Sequence, residues 1–431
     1  MPSRTTRLAW SITALVAVGL LLATVALARR ERALAAQPGT GAVLVVEADP
    51  VQQAPAEAVP SSAALPQPQD AVNGLIAFTS DRDGNSEIYV IQPDGSEATR
   101  ITDDPARDVS PYWTYDGSHL AWLRGEDSNG NGEFQDGADS WSLMLARPDG
   151  SEQRVLYGES AGWLGSAGAD RRFTQLALLV VHDDDGDGEI GEGDGRSLLL
   201  VDLQAAEAEP VDLLADRPDL MPSGLQQNFP IPWAPDGTTL YAALEAPTGP
   251  GFYGLPAGGG EPTLLLEGAV QQAALSPNGS HLAAWMEVED TGRRRQRMLI
   301  YDLEAGQSNT LLMGGLGLAF ISDLNWSPDG TRLLFMGSTG ASAPEVYSLD
   351  VAQDALTSLT QRVASPAFTP AWAPDGAWAV FVVQDYRPSG QGYVPSGNAD
   401  LFLADDLGAG SQQLTQDQGN NTLPAWQPVF P

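Results

Sequence analysis

The acidic segment DDDGDGEIGEGD, residues 183–194, combines residue types and spacing that suit a metal ion. Oxygen-bearing side chains fall at positions one, three, five and twelve, glycine is at position six, and position seven can offer its main-chain carbonyl. This is the ligand order of an EF-hand calcium loop, because a hard cation takes about six to eight oxygens and the glycine permits the bend that directs them inward. A merely solvated acidic turn would not require the glycine at six together with isoleucine at eight. The predicted calcium ligands are Asp183, Asp185, Asp187, Glu189 and Asp194.

A second acidic segment, DSNGNGEFQDGAD at residues 127–139, follows the same order less completely. Its matching residues are Asp127, Asn129, Asn131 and Glu133. Position twelve is Ala138, which cannot bind a cation, so Asp136 or Asp139 would have to replace it. The two asparagines also lower the charge of the site. The sequence leaves two interpretations open, a second calcium site or a polar loop that only resembles the first.

Strands, not helices, are predicted on both sides of the first acidic loop. Residues 176–181 and 197–201 are short apolar runs, so the loop would close a β-hairpin. This arrangement is similar to the calcium loops in the hairpins of integrin alpha-subunit propellers. Aspartate at position twelve reaches a cation less easily with both oxygens than glutamate does, which favours weak binding suited to extracellular calcium.

A repeated hairpin organises the rest of the chain. Five segments each place a Pro-Asp-Gly-like turn between two apolar runs, and this pattern predicts tight β-hairpins. The segments are YWTYDGSHLAW, IPWAPDGTTLYAA, AALSPNGSHLAAW, LNWSPDGTRLLF and PAWAPDGAWAVFV, starting at residues 112, 231, 273, 324 and 370. A repeat of about 40 to 50 residues is typical of a β-propeller, with one four-stranded blade per repeat. The anchors that precede the turns are Trp113, Trp163, Trp233, Leu275, Trp326, Trp372 and Trp426, and they predict seven blades.

The two ends of the repeat region complement each other. Residues 74–102 supply the second, third and fourth strands of a blade, and residues 423–428, LPAWQP, supply an isolated first strand. We therefore expect the C-terminal strand to complete the N-terminal blade and close the ring, which leaves no open sheet edge. The predicted fold is an all-β propeller preceded by one N-terminal transmembrane or signal helix.

The composition excludes several classes of function. The net charge is −34, and all 22 basic residues are arginine, so the surface repels phosphate backbones and nucleic-acid binding is not expected. The absence of cysteine excludes disulfides and thiol chemistry. No phosphate-binding loop or zinc-protease motif is present. We therefore expect a protein that is not an enzyme; the alternative is a polysaccharide lyase or hydrolase that works at the central channel.

The N-terminal region predicts a membrane anchor and a tether. Residues 1–8 form a short flank, and residues 9–28 carry no charge and are long enough to span a bilayer, although a cleaved signal peptide is the alternative. Residues 29–72 are rich in Ala, Pro and Gln and predict a flexible tether, and the propeller would occupy residues 73–431. A single N-terminal span usually exports the domain that follows, so we expect the ring outside the cytoplasm.

The Trp-Ser/Ala-Pro-Asp-Gly hairpin, together with TSDRDGN at residues 79–85 and Ile88-Tyr89, resembles the WD-like repeat of the TolB family. The resemblance implies a propeller that acts in the periplasm by binding other envelope proteins. TolB-like proteins have six blades and an added domain, whereas this chain predicts seven blades and an anchor. We expect a monomer that binds an envelope or extracellular protein, or a glycan, through the loops opposite the Pro-Asp-Gly turns.

Overall fold

The computed structural model describes most of the repeat region. The described residues are 74–128, 130, 139–159, 163–184, 194–204, 209–223, 231–290, 293–311, 313–315, 317–339, 342–361, 363, 365–389, 392–416 and 419–429. All of them belong to one unit, Leu65–Pro431. The predicted flank (1–8), anchor (9–28) and tether (29–72) lie outside the described residues. Within those residues, no helix combines the length and apolar character that crossing a membrane requires.

The described strands form seven four-stranded antiparallel sheets, so the prediction of a seven-bladed propeller is confirmed. The strands of each blade are given from the first to the fourth. Blade 1 consists of Asn421–Trp426, Ile76–Ser80, Glu87–Ile91 and Thr99–Arg100, and blade 2 of Arg107–Trp113, Leu120–Glu126, Ser140–Ala146 and Arg154–Glu159. Blade 3 consists of Trp163–Ala169, Gln175–His182, Gly195–Asp202 and Val211–Asp212. Blade 4 consists of Met221–Pro222, Thr239–Ala246, Gly249–Pro256 and Thr263–Glu267, and blade 5 of Val270–Leu275, His281–Asp290, Arg293–Asp302 and Gln307–Leu311. Blade 6 consists of Phe320–Trp326, Arg332–Ser338, Glu345–Asp350 and Ala355–Ser358, and blade 7 of Ala367–Trp372, Trp378–Val383, Asp400–Asp405 and Ser411–Gln413. A small hairpin, Tyr386–Ser389 with Gly392–Pro395, is inserted in blade 7, and a short 3-10 turn, Met313–Gly315, precedes blade 6.

The first strand of each blade is its inner strand. First strands of successive blades contact one another around the ring, as in blades 5 and 6, 6 and 7, 7 and 1, and 1 and 2. The apolar core is correspondingly divided among the spaces between blades. One cluster, for example, joins Trp285 and Met298 of blade 5 to Leu333 and Phe335 of blade 6. Burial of these side chains holds neighbouring sheets face to face.

The turn of each repeat follows from its sequence. In blade 6 the Gly330 amide donates to the carbonyl of Ser327 at 2.8 Å, and Gly330 has a φ of 71°, which glycine adopts at little cost. Asp329 accepts a hydrogen bond from the Thr331 amide at 3.0 Å. The equivalent glycine of blade 5, Gly279, also lies against Pro235 in the turn of blade 4, since a Cβ at Gly279 would come within 2.4 Å of that proline. The glycine therefore serves both the turn and the stacking of blades.

The predicted anchor Trp163 is wrong, although the blade count is correct. In blades 2, 5 and 6 the anchor ends the inner strand and pairs with the first apolar residue after the turn, as Trp326 pairs with Leu333. In blade 3 that position belongs to Ala169, which pairs with Leu176, whereas Trp163 pairs with Val181 at the opposite end of the strand. The turn of this blade carries Phe173, with a φ of 54°, where the other turns have glycine. The altered turn conceals the true register in the sequence.

Three anchor indoles link neighbouring blades directly. Nε1 of Trp113 donates to the carbonyl of Ala425 at 3.1 Å, that of Trp233 to Gly168 at 2.8 Å, and that of Trp326 to Ala274 at 2.9 Å. Each acceptor lies in the inner strand of the preceding blade. The indole thus fills the apolar space between two sheets and satisfies its polar atom there.

The C-terminal strand closes the ring, as predicted. Ile76 pairs with Trp426, and Ser80 pairs with Asn421. A side-chain clamp reinforces this pairing, because Arg82 donates to Asn421 Oδ1 at 2.8 Å. Asp81 accepts from both the amide and the side chain of Asn420, at 2.6 and 2.7 Å. The two ends of the repeat region are therefore held by strand pairing and by side chains.

Deleting residues 423–431 should destabilise the whole ring. The deletion removes the inner strand of blade 1 and the carbonyl of Ala425 that Trp113 contacts. We expect the free energy of unfolding to fall by at least about 4 kcal/mol, the cost of losing a buried tryptophan and its hydrogen bonds. Chemical denaturation followed by tryptophan fluorescence measures this. Deleting only residues 430–431 is the control, and equal stability of the two truncations would contradict the closure.

Candidate functional site

The antiparallel order of the strands gives the ring two distinct faces. The Pro-Asp-Gly turns after the inner strands lie on one face. The opposite face, here called the loop face, carries the loops between second and third strands, among them residues 127–139 and 183–194, and the hairpin inserted in blade 7. The described ends of both acidic segments therefore lie on the loop face.

Most of the predicted calcium ligands fall outside the described residues. These are Asp185, Asp187 and Glu189 of the segment 183–194, and Asn129, Asn131 and Glu133 of the segment 127–139. Asp127, Asp183 and Asp194 are described. Among the described residues, no three His, Asp or Glu side chains gather closely enough to hold a metal ion. The ligand set remains a prediction, and the structure contributes the geometry at the base of each loop.

Strand register makes the two acidic loops equivalent at their bases. Glu126 pairs with Ser140 in blade 2, and His182 pairs with Gly195 in blade 3. The first loop residues beyond these last strand pairs are therefore Asp127 and Asp139 in blade 2, and Asp183 and Asp194 in blade 3. Asp139, rather than Asp136, thus corresponds to the closing residue Asp194.

Both closing aspartates are buried at the start of a third strand. Asp139 is 2% exposed and Asp194 is 5% exposed. Asp139 Oδ1 accepts a hydrogen bond from the Ser128 amide at 3.0 Å, and in the other loop Asp184 Oδ2 accepts from the Gly195 amide at 2.9 Å. Hydrogen bonds across the base hold each loop closed. Each closing aspartate thus lies directly before the first residue of a third strand, at the closed base of its loop.

Two other buried acids of the loop face are paired with arginine. Glu87 is fully buried and lies 2.9 Å from Arg100. Asp108, also fully buried, receives two hydrogen bonds from Arg124, at 2.8 and 2.7 Å. The hydrogen bond and charge of Asp108 raise the pKa of Arg124, which keeps its guanidinium protonated. These acids have a structural role, because each charge is neutralised where it is buried.

The sequence analysis missed a site in the central channel. Four inner strands carry a β-bulge three residues before the anchor, and the residue there has a positive φ although it is not glycine. These residues are Ser110 (55°), Asp323 (55°), Thr369 (45°) and Leu423 (52°), in blades 2, 6, 7 and 1. Such backbone conformations are costly and cluster at functional sites. Because inner strands line the channel of a propeller, the bulges place these four residues around it.

Asp323 differs from Glu87 and Asp108 because no arginine pairs with it among the described residues. Its Oδ2 accepts a hydrogen bond from Ser322 Oγ at 2.6 Å. Burial raises the pKa of Asp323 to about 6. A carboxyl group that titrates near neutral pH can act as a general acid or base, or as an anionic binding group. The sequence signal for it was the Asp-Leu dipeptide, which replaces the X-Pro of the other three bulges.

The three histidines lie away from the inner strands. His119 and His281 follow the turns of blades 2 and 5, where Nδ1 lies 2.8 Å from Ser118 Oγ and 2.6 Å from Ser280 Oγ. His182 ends the second strand of blade 3. The channel site is therefore built without histidine.

Comparison with known proteins gives matches to solved structures. No protein-family model matches the sequence, and no curated protein matches it. An oligogalacturonate lyase from Vibrio parahaemolyticus is similar, with a TM-score of 0.55, 16% identity, and coverage of 77% of this chain and 86% of that one. A puromycin-hydrolyzing peptidase from Mycobacterium tuberculosis is similar with a TM-score of 0.51 and 15% identity, and the match covers 73% of this chain and 49% of the peptidase. TolB from Acinetobacter baumannii matches with a TM-score of 0.47 and 13% identity, over 84% of this chain and 69% of TolB.

At these identities the similarity establishes the fold. The predicted TolB-like, WD-like propeller is confirmed at that level. The prediction that the protein is not an enzyme is wrong, because solved structures of enzymes share this fold with the chain. Local sequence motifs could not exclude catalysis, since a site assembled from separate blades leaves no local motif.

Replacing Asp323 with asparagine should stabilise the ring at neutral pH. The pKa of Asp323 rises from 3.8 to about 6 on folding, so its ionisation opposes folding as the pH increases through that interval and costs most above it. We expect Asp323→Asn to gain up to about 3 kcal/mol at pH 8, at 1.4 kcal/mol per pKa unit, and a gain that shrinks towards zero near pH 4. Urea denaturation across this pH range measures it. Asp216→Asn, at an exposed position, is the control, and a pH-independent gain would contradict this account.

Proposed function

We propose that this protein is a membrane-tethered, extracytoplasmic propeller that binds a protein or a glycan through its loop face, and that calcium stiffens this face. The observation that carries the proposal is the equivalence of Asp139 and Asp194, which close two acidic loops at matching positions of adjacent blades. One such loop could be incidental. Two in equivalent positions favour a shared role.

The burial of the closing aspartates supports calcium binding at both loops. A ligand fixed at the end of a strand loses little freedom when a cation binds, so less of the binding energy is spent on ordering the site. In the second segment Asp139 supplies the carboxylate that Ala138 cannot. The thirteen residues from Asp127 to Asp139 would then form a calcium loop one residue longer than the segment from Asp183 to Asp194.

The placement of these loops supports a role in binding. Loops held by a rigid scaffold are where proteins commonly bind partners, and calcium would fix two neighbouring loops in one arrangement. With a net charge of −34, the chain favours partners with basic or neutral surfaces over anionic ones. The predicted anchor at residues 9–28 and tether at residues 29–72 would hold the ring near a membrane, where extracellular calcium suits weak sites.

Calcium should raise the thermal stability of the full chain in detergent. A cation that binds only the folded state adds about 2.7 kcal/mol at a free concentration of about 100 times its Kd. We expect the double variant Asp185→Ala, Asp187→Ala to lose the larger part of this increase and Asp139→Ala to lose the remainder. Differential scanning calorimetry with and without calcium measures both.

The matched control for the second loop is Asp136→Ala. It removes a carboxylate from the same segment but leaves the closing residue intact, so we expect it to keep the calcium increment. An unchanged melting temperature of the wild type on adding calcium would overturn the calcium proposal. Loss of the increment in Asp136→Ala rather than in Asp139→Ala would refute the assignment of Asp139.

Binding through the loop face predicts calcium-dependent capture of a partner. The full chain in detergent, immobilised and incubated with envelope extract or a glycan array, should retain a partner in calcium and release it in chelator. The double variant Asp185→Ala, Asp187→Ala should bind at least about tenfold less. Retention that is equal in the wild type and the double variant would place binding elsewhere on the ring.

A second candidate function is catalysis at the central channel, as a polysaccharide lyase or hydrolase. Asp323 favours it, because a buried carboxyl group with a raised pKa suits proton transfer. A glycan-cleavage screen tests it: turnover by the wild type that Asp323→Asn abolishes supports a channel enzyme, and turnover unaffected by Asp323→Asn contradicts this role for Asp323.

A further inference from the structure

Three polar residues occupy equivalent positions on neighbouring inner strands. Gln272, Asp323 and Thr369 each lie three residues before the anchor of blades 5, 6 and 7, which are Leu275, Trp326 and Trp372. The inner strands of blades 5 and 6 contact each other, and so do those of blades 6 and 7. We call these three residues the polar arc, because they follow one another around one side of the channel at the same level.

The polar arc presents hydrogen-bond acceptors that the described residues do not use. Gln272 Oε1 and Thr369 Oγ1 are buried and have no hydrogen-bond partner among those residues. Each such atom lowers stability if it is left unpaired. Asp323 lies between them, and the described residues give its side chain one hydrogen bond, from Ser322, and no ion pair. Native proteins rarely leave buried acceptors unused, and here two of them lie on the inner strands on either side of that of Asp323, so the arrangement points to a ligand.

Backbone strain coincides with two members of the polar arc. Asp323 has a φ of 55° and Thr369 a φ of 45°, and the second value is unusual for a β-branched residue. Conformations of this kind are unfavourable and persist where the surrounding structure imposes them. At both positions the β-bulge displaces the residue from regular pairing with the second strand. The bulge, which Ser110 and Leu423 share in blades 2 and 1, thus carries polar side chains at both of these positions of the arc.

We propose that the polar arc binds a primary ammonium group, either of a free amine or of a lysine side chain inserted into the channel by a partner. An ammonium group has three N–H donors and one positive charge. The arc supplies three acceptors, Gln272 Oε1, a carboxylate oxygen of Asp323 and Thr369 Oγ1, and one negative charge. This chain contains no lysine, so no side chain of its own supplies that group.

A metal ion fits the polar arc less well than an ammonium group does. Calcium takes about six to eight oxygen ligands, usually including several carboxylates, and the arc holds one carboxylate. Within the described residues, Asp323 also belongs to no group of three acidic or histidine side chains. The proposal does not depend on the calcium loops, and it holds whether or not a reaction follows binding.

Isothermal titration calorimetry on the full chain in detergent tests the proposal with two probes. The first is n-butylammonium chloride, and the second is the peptide acetyl-Gly-Gly-Lys-Gly-Gly-amide; the same peptide with an acetylated lysine is the matched control. We expect binding with one site per chain for at least one amine probe and none for the acetylated peptide. Binding of butylammonium favours a free amine as the natural ligand, whereas binding of the peptide alone favours a lysine supplied by a partner.

Variants of the arc separate specific binding from general attraction to an acidic protein. Asp323→Asn should weaken binding at least about tenfold, which corresponds to about 1.4 kcal/mol. Thr369→Val keeps the shape and removes the oxygen, and should weaken it severalfold. Asp216→Asn removes an exposed charge elsewhere and should leave affinity unchanged. Absence of binding by either amine, or equal affinities for the wild type and Asp323→Asn, would overturn the proposal.

Discussion

The contact between the inner strand of one blade and the inner strand of the next determines how the rest of this structure is built. An anchor tryptophan packs between two sheets and, in three blades, donates its indole N–H to a carbonyl of the preceding inner strand. The turn that follows stacks its glycine on the preceding proline. Repetition of this contact forms a ring, and the ring is complete only when the C-terminal strand joins blade 1. Local hairpins are thereby converted into a single cooperative domain.

Closure also explains why the two faces of the ring carry different kinds of residue. The turn face is constrained by the stacked Pro-Asp-Gly corners, so its sequence repeats from blade to blade. The loops between second and third strands do not take part in that stacking, and they hold the acidic segments and the inserted hairpin. Asp139 and Asp194 lie where the variable loops meet the regular sheets, because each is buried directly before the first residue of a third strand.

The central channel presents a different balance between stability and function. Glu87 and Asp108 are buried with arginine partners, so their charges are compensated within the fold. Asp323 has no such partner among the described residues, and it is held in a strained bulge. A buried carboxyl group without a cation opposes folding when it ionises, and this cost is consistent with a site kept for a ligand or a reaction.

The sequence by itself determined the features that depend on neighbouring residues. The Pro-Asp-Gly turns require a positive φ that glycine supplies, so the hairpins, the number of blades and the closing strand were all predictable. The order of oxygens from Asp183 to Asp194 likewise predicts a calcium loop without knowledge of the fold. Only the tertiary structure decided features that depend on register and on ring closure. It placed Ala169 rather than Trp163 at the anchor, matched Asp139 to Asp194, and brought Asp323 between Gln272 and Thr369. Those residues are far apart in the chain, and pairing between strands and contact between blades, which leave no local pattern, are what bring them together.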